Sequence, residues 1–247
     1  MKSEQILRLL GEVDDRYIEE SMMIERKPYQ QLKWGAGLLI AVAAGFMLFT
    51  SNVWNEQIPL STDSTATSVH IVDQSKVKPD ISEENMMEMT EDELFSKWDP
   101  VVVRGTVTDI WHIEIDFNGE TEYQSLIKIQ VSNVYRGDVR VGQDLIVRAD
   151  AIKETGQTTD ASVISHVKQG MEGIFMPIPY DDEFVWEQNE ATLRLKDIAD
   201  YGFPDGERYL FLDTPNGLLF ERDAYPSLQG LDSLDEVEHW MMTRFSE

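Results

Sequence analysis

Cysteine is absent from the 247-residue chain. Its absence excludes disulfide bonds, catalysis by a thiol and metal sites built from thiolates. A folded domain of this protein must therefore be stabilised by its own apolar core. The chain is long enough to form such a core, since single domains commonly have roughly 100 to 150 residues.

Positive charge is also scarce, because 21 Lys and Arg residues stand against 46 Asp and Glu residues, for a formal net charge of −25. Nucleic acids and anionic lipid headgroups bind surfaces with clustered cations. The composition therefore predicts no nucleic-acid partner. It is compatible with a solvated acidic surface, with cationic partners or with divalent ions.

The sequence also lacks the common catalytic motifs. It has no GxSxG, no HExxH, no Walker loop and no dinucleotide fingerprint. The four histidines, at positions 70, 112, 166 and 239, are not spaced as a local metal-binding pair. We therefore expect no enzyme activity, no catalytic residue, no cofactor and no bound metal ion.

Some polar residues leave an alternative open. His112 lies between Trp111 and Ile113, which is more typical of a residue in a strand than of a metal ligand. Two serines and a histidine contain the groups of a nucleophile and a base, although nothing in their spacing supports that role. These residues are Ser125, Ser165 and His166.

Two acidic clusters contain the carboxylates that a hard cation such as calcium requires. They are Asp181, Asp182 and Glu183, and the pair Asp200 and Asp205. Their spacing lacks the alternating pattern of a calcium loop, which favours solvated acidic loops. Nearby aromatic residues are compatible with a sugar- or peptide-binding platform, or with packing of a loop over the domain. These are Tyr180, Phe184 and Trp186.

Residues 34–55 form a segment without any charged residue. A helix of these 22 residues is about 33 Å long, enough to cross the hydrocarbon core of a bilayer. Trp34 and Trp54 lie near its two ends, where amphipathic rings favour the headgroup level. Because 33 residues precede it, a cleaved signal peptide is disfavoured. We predict a single retained transmembrane helix of the signal-anchor type that contacts the lipid bilayer.

Charges on the two sides of this segment predict its orientation. Arg26, Lys27 and Lys33 precede the span, and no Lys or Arg follows it before Lys76. Since positive charge stays on the cytoplasmic side, the N-terminus is predicted inside and the C-terminal part outside. Residues 1–33 hold six basic and seven acidic residues, which leaves 15 and 39 for the outer part, a net charge of −24. The predicted location is the cell membrane, with an acidic extracytoplasmic domain.

Residues 1–33 form the predicted cytoplasmic segment. Between residues 3 and 25, apolar residues recur at helical spacing, which predicts an amphipathic helix. The candidate docking residues on its apolar stripe are Ile6, Leu10, Val13 and Tyr17. This stripe has no surface to pack against within its own segment. It is therefore expected to contact a cytoplasmic protein, to dimerise or to stay partly disordered.

The same segment resembles the N-terminal region of uncharacterised single-pass membrane proteins of clostridia and relatives. Those proteins carry a motif of the type G-E-(I/V)-D-D-x-(Y/L)-I-E-E-A before one span. The matching residues are Gly11, Glu12, Val13, Asp14, Asp15, Tyr17, Ile18, Glu19 and Glu20, with Ser21 in place of the final Ala. Some of these proteins look like regulators of sigma factors, so the resemblance implies a membrane-bound regulator as one function.

Residues 56–89 follow the span and are rich in Ser, Thr, Asp and Glu. This composition predicts a flexible acidic linker. The extracytoplasmic domain is expected over residues 90–247. Thr90 and Glu93 have the spacing of a capping box, which predicts a short helix at the start of this domain.

From residue 101 onward, β-branched residues and glycine-marked turns predict a mainly β domain. Gly105 is expected to form a bulge in the first of these strands. Asn118-Gly119 predicts a hairpin, because Asn-Gly favours the two-residue turns that join antiparallel strands. The following residues alternate between a polar and an aliphatic face, as in a half-buried strand.

The end of the chain predicts a second hairpin and a helix. The hairpin turn is expected at residues 214–217, and an amphipathic helix after Ser233. Several short strands with only short flanking helices favour a small, OB-like or partly open β-barrel.

This layout resembles the OB-like barrels of exported bacterial domains. Residues 102–107 match a first strand, and residues 131–138 with 141–143 are similar to a V-x-x-V-Y-K-G-D…V-G strand and turn. Residues 169–176 stand where such domains carry G-E-x-Y-L-x-F-L. The resemblance covers about residues 101–225 and implies a fold without catalytic content.

These observations together predict a non-catalytic, membrane-anchored protein whose extracytoplasmic domain binds or senses an unidentified ligand. One alternative is an anti-sigma-like transmembrane regulator that acts through the N-terminal cytoplasmic helix. A second alternative is a cell-surface enzyme with a dispersed site.

Overall fold

The computed structural model describes residues 56–77, 88–152, 163–204, 206 and 208–245. The predicted cytoplasmic segment and transmembrane helix lie outside these residues, and so do Ile6, Leu10, Val13 and Tyr17. Within the described residues, no helix has the length and apolar character needed to span a bilayer.

The described part of the chain is mainly β, as predicted. Its strands are β1 Thr67–Val72, β2 Val102–Phe117, β3 Glu120–Arg136, β4 Asp144–Asp150, β5 Glu172–Phe175, β6 Ile178–Pro179, β7 Val185–Gln188, β8 Ala191–Arg194, β9 Tyr201–Gly202, β10 Leu210–Thr214 and β11 Gly217–Leu219. Its α-helices are α1 Glu91–Ser96 and α2 Leu234–Arg244. Five 3₁₀ turns complete the described elements, at Gln74–Lys76, Val163–His166, Leu195–Asp197, Arg222–Ala224 and Pro226–Leu228.

A long hairpin of β2 and β3 forms the centre of the sheet. Its turn is the predicted Asn118-Gly119 pair, with φ of 52° and 96°, both in the left-handed region that this turn requires. The register shifts between Arg104 and Gly105. This confirms the predicted bulge. A Cβ atom at Gly105 would lie 2.7 Å from the carbonyl oxygen of Gln130, so only glycine fits there.

The main sheet has the strand order β11-β10-β5-β2-β3-β4-β9-β6, and β1 also pairs with β2. In a flat sheet, β5 and β6 would lie about 24 Å apart, because neighbouring strands are about 4.8 Å apart. Only two residues separate β5 from β6 along the chain. Phe175 and Ile178 can be at most about 11 Å apart. The sheet must therefore curl so that β6 comes back towards β5.

Two apolar cores pack on this curled sheet. The larger, here called the barrel core, includes Val107, Ile127, Ile129, Leu145, Val147, Phe175 and Phe211. The smaller, here called the hairpin core, includes Ile58, Val69, Ile113, Ile115, Phe117, Leu126 and Leu193. The small β7–β8 sheet contributes to the hairpin core only.

The register of the central hairpin places these cores on opposite faces. Ile110 pairs with Ile127, and the next residue, Trp111, pairs with Leu126. Successive residues of a strand point to opposite sides of a sheet. Ile127 belongs to the barrel core and Leu126 to the hairpin core. The same two strands therefore carry both cores.

The predicted capping box at the start of α1 is present, and the predicted helix after Ser233 begins with a second one. Thr90 caps α1 with Glu93, and Ser233 caps α2 with Glu236. In each box the Ser or Thr side chain accepts from a backbone N–H, and the glutamate accepts from the N-cap backbone. Helix α2 buries Leu234, Val237 and Met241 against the barrel core.

The prediction of a flexible linker over residues 56–89 is wrong for residues 56–77. The Ile58 amide donates to the Val69 carbonyl at 2.8 Å, and the Ile71 amide donates to the Glu56 carbonyl at 2.9 Å. β1 pairs with β2 along its whole length. The domain therefore includes residues 56–77 and does not begin at residue 90, while residues 78–87 lie outside the described part.

The physical reason is that the polar side chains of this segment are hydrogen-bonded within the fold. Asp197 Oδ2 accepts from the Ser61 amide at 3.0 Å, and from the hydroxyls of Ser61 and Ser64 at 2.7 Å each. A segment rich in Ser and Thr is therefore compatible with an ordered structure here. Its composition alone suggested solvation.

Candidate ligand-binding cleft

His112 is buried in the central hairpin, as expected for a strand residue. Its Nδ1 lies 3.2 Å from Ser125 Oγ, and the Ser125 hydroxyl also accepts the Ile152 amide at 2.9 Å. Ser125 has no exposed surface. A substrate therefore cannot reach this hydroxyl in the folded domain. The hydrogen bond from Ile152 holds the residues just after β4 against the hairpin.

Sequence reasoning missed this His–Ser contact, although the predicted Asn118-Gly119 turn determines which residues of β2 and β3 lie opposite each other. With Asn118-Gly119 at the turn, Phe117 faces Glu120, and counting back along both strands brings His112 opposite Ser125. The other two residues considered as a nucleophile and a base do not lie beside Ser125 in the hairpin. Ser165 and His166 lie in the 3₁₀ turn Val163–His166.

The acidic cluster at residues 181–183 forms an ion pair with an arginine of the same domain. Asp182 forms an ion pair with Arg194, which also binds Asp63 at 2.9 Å. Asp181 Oδ1 accepts the amide of Glu183 at 2.8 Å. The described residues contain no group of three or more His, Asp or Glu side chains arranged to hold a metal ion. Asp205, of the second acidic pair, lies outside the described residues.

The aromatic residues at 180–186 pack within the domain. Trp186 lies 4.9 Å from Phe117 between ring centroids, and Tyr180 lies 5.1 Å from Phe184. Arg148 stacks on Trp186 at 5.8 Å and donates from Nε to the Tyr180 hydroxyl at 2.9 Å. Of the two alternatives raised for them, the structure shows the packing of a loop over the sheet.

A cleft of about 780 Å³ opens between two segments of the chain, residues 166–172 and residues 213–219. It forms where β10 and β5 separate. Their last pair is Leu212 with Gly173, after which β10 continues into its own hairpin with β11. The cleft is therefore a consequence of strand divergence at one end of the barrel core.

The first wall of the cleft is a turn held against β2. The Gly170 amide donates to the Val107 carbonyl at 2.8 Å, and the Val107 amide donates to the Met171 carbonyl at 2.9 Å. The Gln169 side chain donates to the Thr108 carbonyl at 2.8 Å. These bonds fix the wall to the centre of the sheet.

The second wall is the predicted β10–β11 hairpin. Thr214 pairs with Gly217, and the Thr214 hydroxyl donates to the Gly217 carbonyl at 2.7 Å. The same hydroxyl oxygen accepts the amide of Asn216 at 3.2 Å. Gly217 has a φ of 103°, so the turn depends on glycine at this position.

Some charged side chains of the cleft form ion pairs within the protein, and others do not. Glu172 is of the first kind. Glu172 Oε1 binds Arg104 Nε at 2.7 Å, and Arg104 also forms ion pairs with Asp235 and Glu238 of α2. Burial acts to lower the pKa of Arg104, but the hydrogen bonds to these three carboxylates raise it above its ordinary value. Glu172 is therefore compensated within the protein.

Lys168 and Asp213, in contrast, form no ion pair with another described residue. They lie on the two opposite walls, and Met171, Leu218 and Leu219 supply apolar surface beside them. The cleft thus offers one cation, one carboxylate and an apolar surface. Lys168 and Asp213 are far apart in sequence and match no motif, so sequence reasoning did not identify them.

Comparisons with protein-family models, curated proteins and solved structures find no match for this chain. The resemblances to single-pass membrane proteins and to OB-like domains stay predictions.

Proposed function

We propose that this protein is a single-pass, membrane-anchored binding protein. Its extracytoplasmic β-domain would hold a small zwitterionic or peptide-like ligand in the cleft between residues 166–172 and 213–219, without catalysis. The observation that carries this proposal is the placement of Lys168 and Asp213 on opposite walls, each without an ion-pair partner among the described residues.

The dimensions and chemistry of the cleft support a small ligand. Ligand sites commonly have volumes of roughly 300–1,000 Å³, with apolar lining and a few polar groups that fix orientation. The cleft of about 780 Å³ falls in this range. In this proposal, the carboxylate of the ligand binds Lys168 and its ammonium group binds Asp213, while its apolar part contacts Leu218.

Anchoring in the membrane is supported by the sequence. Residues 34–55 are uncharged and long enough to span a bilayer, and basic residues precede them. The first described residue, Glu56, already accepts a backbone hydrogen bond from Ile71. In this proposal, the extracytoplasmic domain begins directly after the predicted span.

The finer proposal for the fold is an OB-like barrel. The β5–β6 segment supports it, since β5 pairs with β2 while β6 pairs with β9 at the other side of the curled sheet. Small barrels of this kind use the surface and loops around the sheet for binding, and their interior for packing.

The test is binding of dipeptides with apolar side chains and free termini to the full chain in detergent, measured by calorimetry. We expect binding by the free dipeptides. Lys168→Gln and Asp213→Asn should each weaken it by roughly tenfold, because each removes a charge-assisted hydrogen bond.

Two matched controls make this test specific. The same dipeptides with an acetylated N-terminus and an amidated C-terminus should not bind, because they lack both charges. Lys76→Gln removes an exposed lysine outside the cleft and should leave binding unchanged. Equal binding of free and blocked dipeptides, or wild-type affinity in both cleft variants, would contradict the proposal.

A further inference from the structure

The chain contains two Asn-Gly sequences, Asn118-Gly119 and Asn216-Gly217. Asparagine before glycine is the sequence most prone to deamidation. The backbone nitrogen of the glycine loses its proton and attacks the side-chain amide carbon, which releases ammonia and closes a succinimide ring. Water then opens the ring to aspartate or isoaspartate. Both sites have the Asn-Gly sequence and lie at hairpin turns. Asn118 and Gly119 are the two turn residues between β2 and β3, whereas Asn216 ends the β10–β11 turn and Gly217 is the first residue of β11.

At the first site, hydrogen bonds hold both reacting groups. The Gly119 N–H donates to Asp116 Oδ1 at 3.0 Å, and the Asn118 side-chain amide donates to the Asn189 carbonyl at 3.3 Å. The Asn189 side chain in turn donates to the carbonyls of Phe117 and Asn118, at 3.0 Å each. The Asp116 carboxylate also opposes loss of the Gly119 proton, because a second negative charge would form beside it.

At the second site, the side chain is not held. Asn216 is exposed, and its backbone amide donates to the Thr214 hydroxyl at 3.2 Å. Its side-chain amide makes no hydrogen bond with any other described residue. Rotation of this amide towards the Gly217 nitrogen therefore breaks no side-chain contact.

We propose that Asn216 is a site of spontaneous deamidation on the rim of the cleft, and that the fold protects Asn118 from the same reaction. The conversion replaces a neutral amide with a carboxylate in the turn that follows Asp213. The cleft then carries a second unneutralised carboxylate against the single cation of Lys168. This inference does not depend on the identity of a ligand.

The experiment is incubation of the full chain in detergent in a mildly alkaline buffer, followed by peptide mapping with mass spectrometry that separates aspartate from isoaspartate. We expect the peptide with Asn216 to convert roughly tenfold faster than the peptide with Asn118. The reaction at Asn118 must first break one or two hydrogen bonds, and their free energy corresponds to a factor of about ten in rate. Equal rates in the folded protein, or faster conversion of Asn118, would overturn the proposal.

Two controls show whether the fold causes the difference. In denaturant the two rates should converge, and a ratio that persists there would assign the difference to the local sequence and refute protection by the fold. Asp116→Ala releases the Gly119 amide and should accelerate conversion of Asn118 alone. Unchanged conversion of Asn118 in a variant that melts like the wild type would also count against the proposal.

Discussion

The barrel core and the hairpin core lie on opposite faces of the same two strands, but they are closed in different ways. The barrel core is covered by two capped helices whose aromatic rings pack against each other. Between ring centroids, Phe95 of α1 lies 5.5 Å from Trp240 of α2 and 5.8 Å from Phe245, the residue after α2. The hairpin core is covered by short segments joined through polar contacts, centred on Asp197 and Arg194.

This difference explains where the sequence is informative. Helices with capping boxes and alternating strands are visible as local patterns. A cover made of short segments is visible only when the partners are known, since Ser61 and Asp197 are far apart in the chain. Residues 56–72 belong to this second kind of cover, which is why their composition suggested a linker.

The largest expected effect comes from the barrel core. Phe211 is fully buried and lies 4.9 Å from Tyr225 and 5.2 Å from Phe220 between ring centroids. Phe211→Ala should lower the free energy of unfolding of the domain by about 3–5 kcal/mol, through lost burial and a cavity. Denaturant unfolding followed by circular dichroism measures this value. Val141→Ala, at a residue that is 65% exposed, is the control and should change stability by less than about 0.5 kcal/mol.

A smaller effect is expected from the hairpin core, where it tests the corrected domain boundary. Val69 has no exposed surface although it lies in the segment predicted as a linker. Val69→Ala should lower the free energy of unfolding by about 2 kcal/mol, because two buried methyl groups are removed. The matched control is Thr62→Ala at an exposed position of the same segment. Identical stability of the two variants would restore the linker interpretation.

The smallest effect concerns pH and the helices that cover the barrel core. Backbone hydrogen bonds from Thr90 lower the pKa of Glu93, and those from Asp232 and Ser233 help to lower that of Glu236, from an ordinary value of 4.5. A carboxyl group with a lower pKa in the folded state stabilises the fold above its ordinary pKa. This contribution is lost as the pH falls through the folded-state value.

Acidification below about pH 4.5 should therefore loosen α1 and α2 before it affects the hairpin core. Hydrogen exchange of the helix amides, compared with those of β1, measures this order. Glu236→Gln should reduce the acid sensitivity of α2 and leave α1 unchanged. Loss of protection in β1 before α2 would contradict the contrast between the two covers.

Much of the fold follows from local patterns. Asn118-Gly119 predicts the central hairpin because its φ angles suit a two-residue turn, and Thr90 and Ser233 predict both helix starts because the capping contacts lie within a few residues. The bulge at Gly105 follows from the need for close strand approach.

The candidate cleft could not be predicted in the same way. Lys168 and Asp213 come together only because β5 and β10 pair and then diverge after Leu212 and Gly173. No local pattern encodes such a long-range pairing. The same limitation applies to Asp197, whose contacts with Ser61 and Ser64 connect distant parts of the chain.

The most direct test of the proposed membrane-anchored binding protein is the accessibility of single cysteines in intact cells after removal of any cell wall. The chain has no cysteine, so each introduced thiol is the only one in this protein that a maleimide can label. Thr62→Cys should react with a membrane-impermeant maleimide, because Thr62 is exposed on the domain that is proposed to lie outside. Ser3→Cys should react only after the cells are opened. Labelling of Ser3→Cys and not Thr62→Cys in intact cells, or equal labelling of both, would contradict the orientation and the extracytoplasmic binding function together.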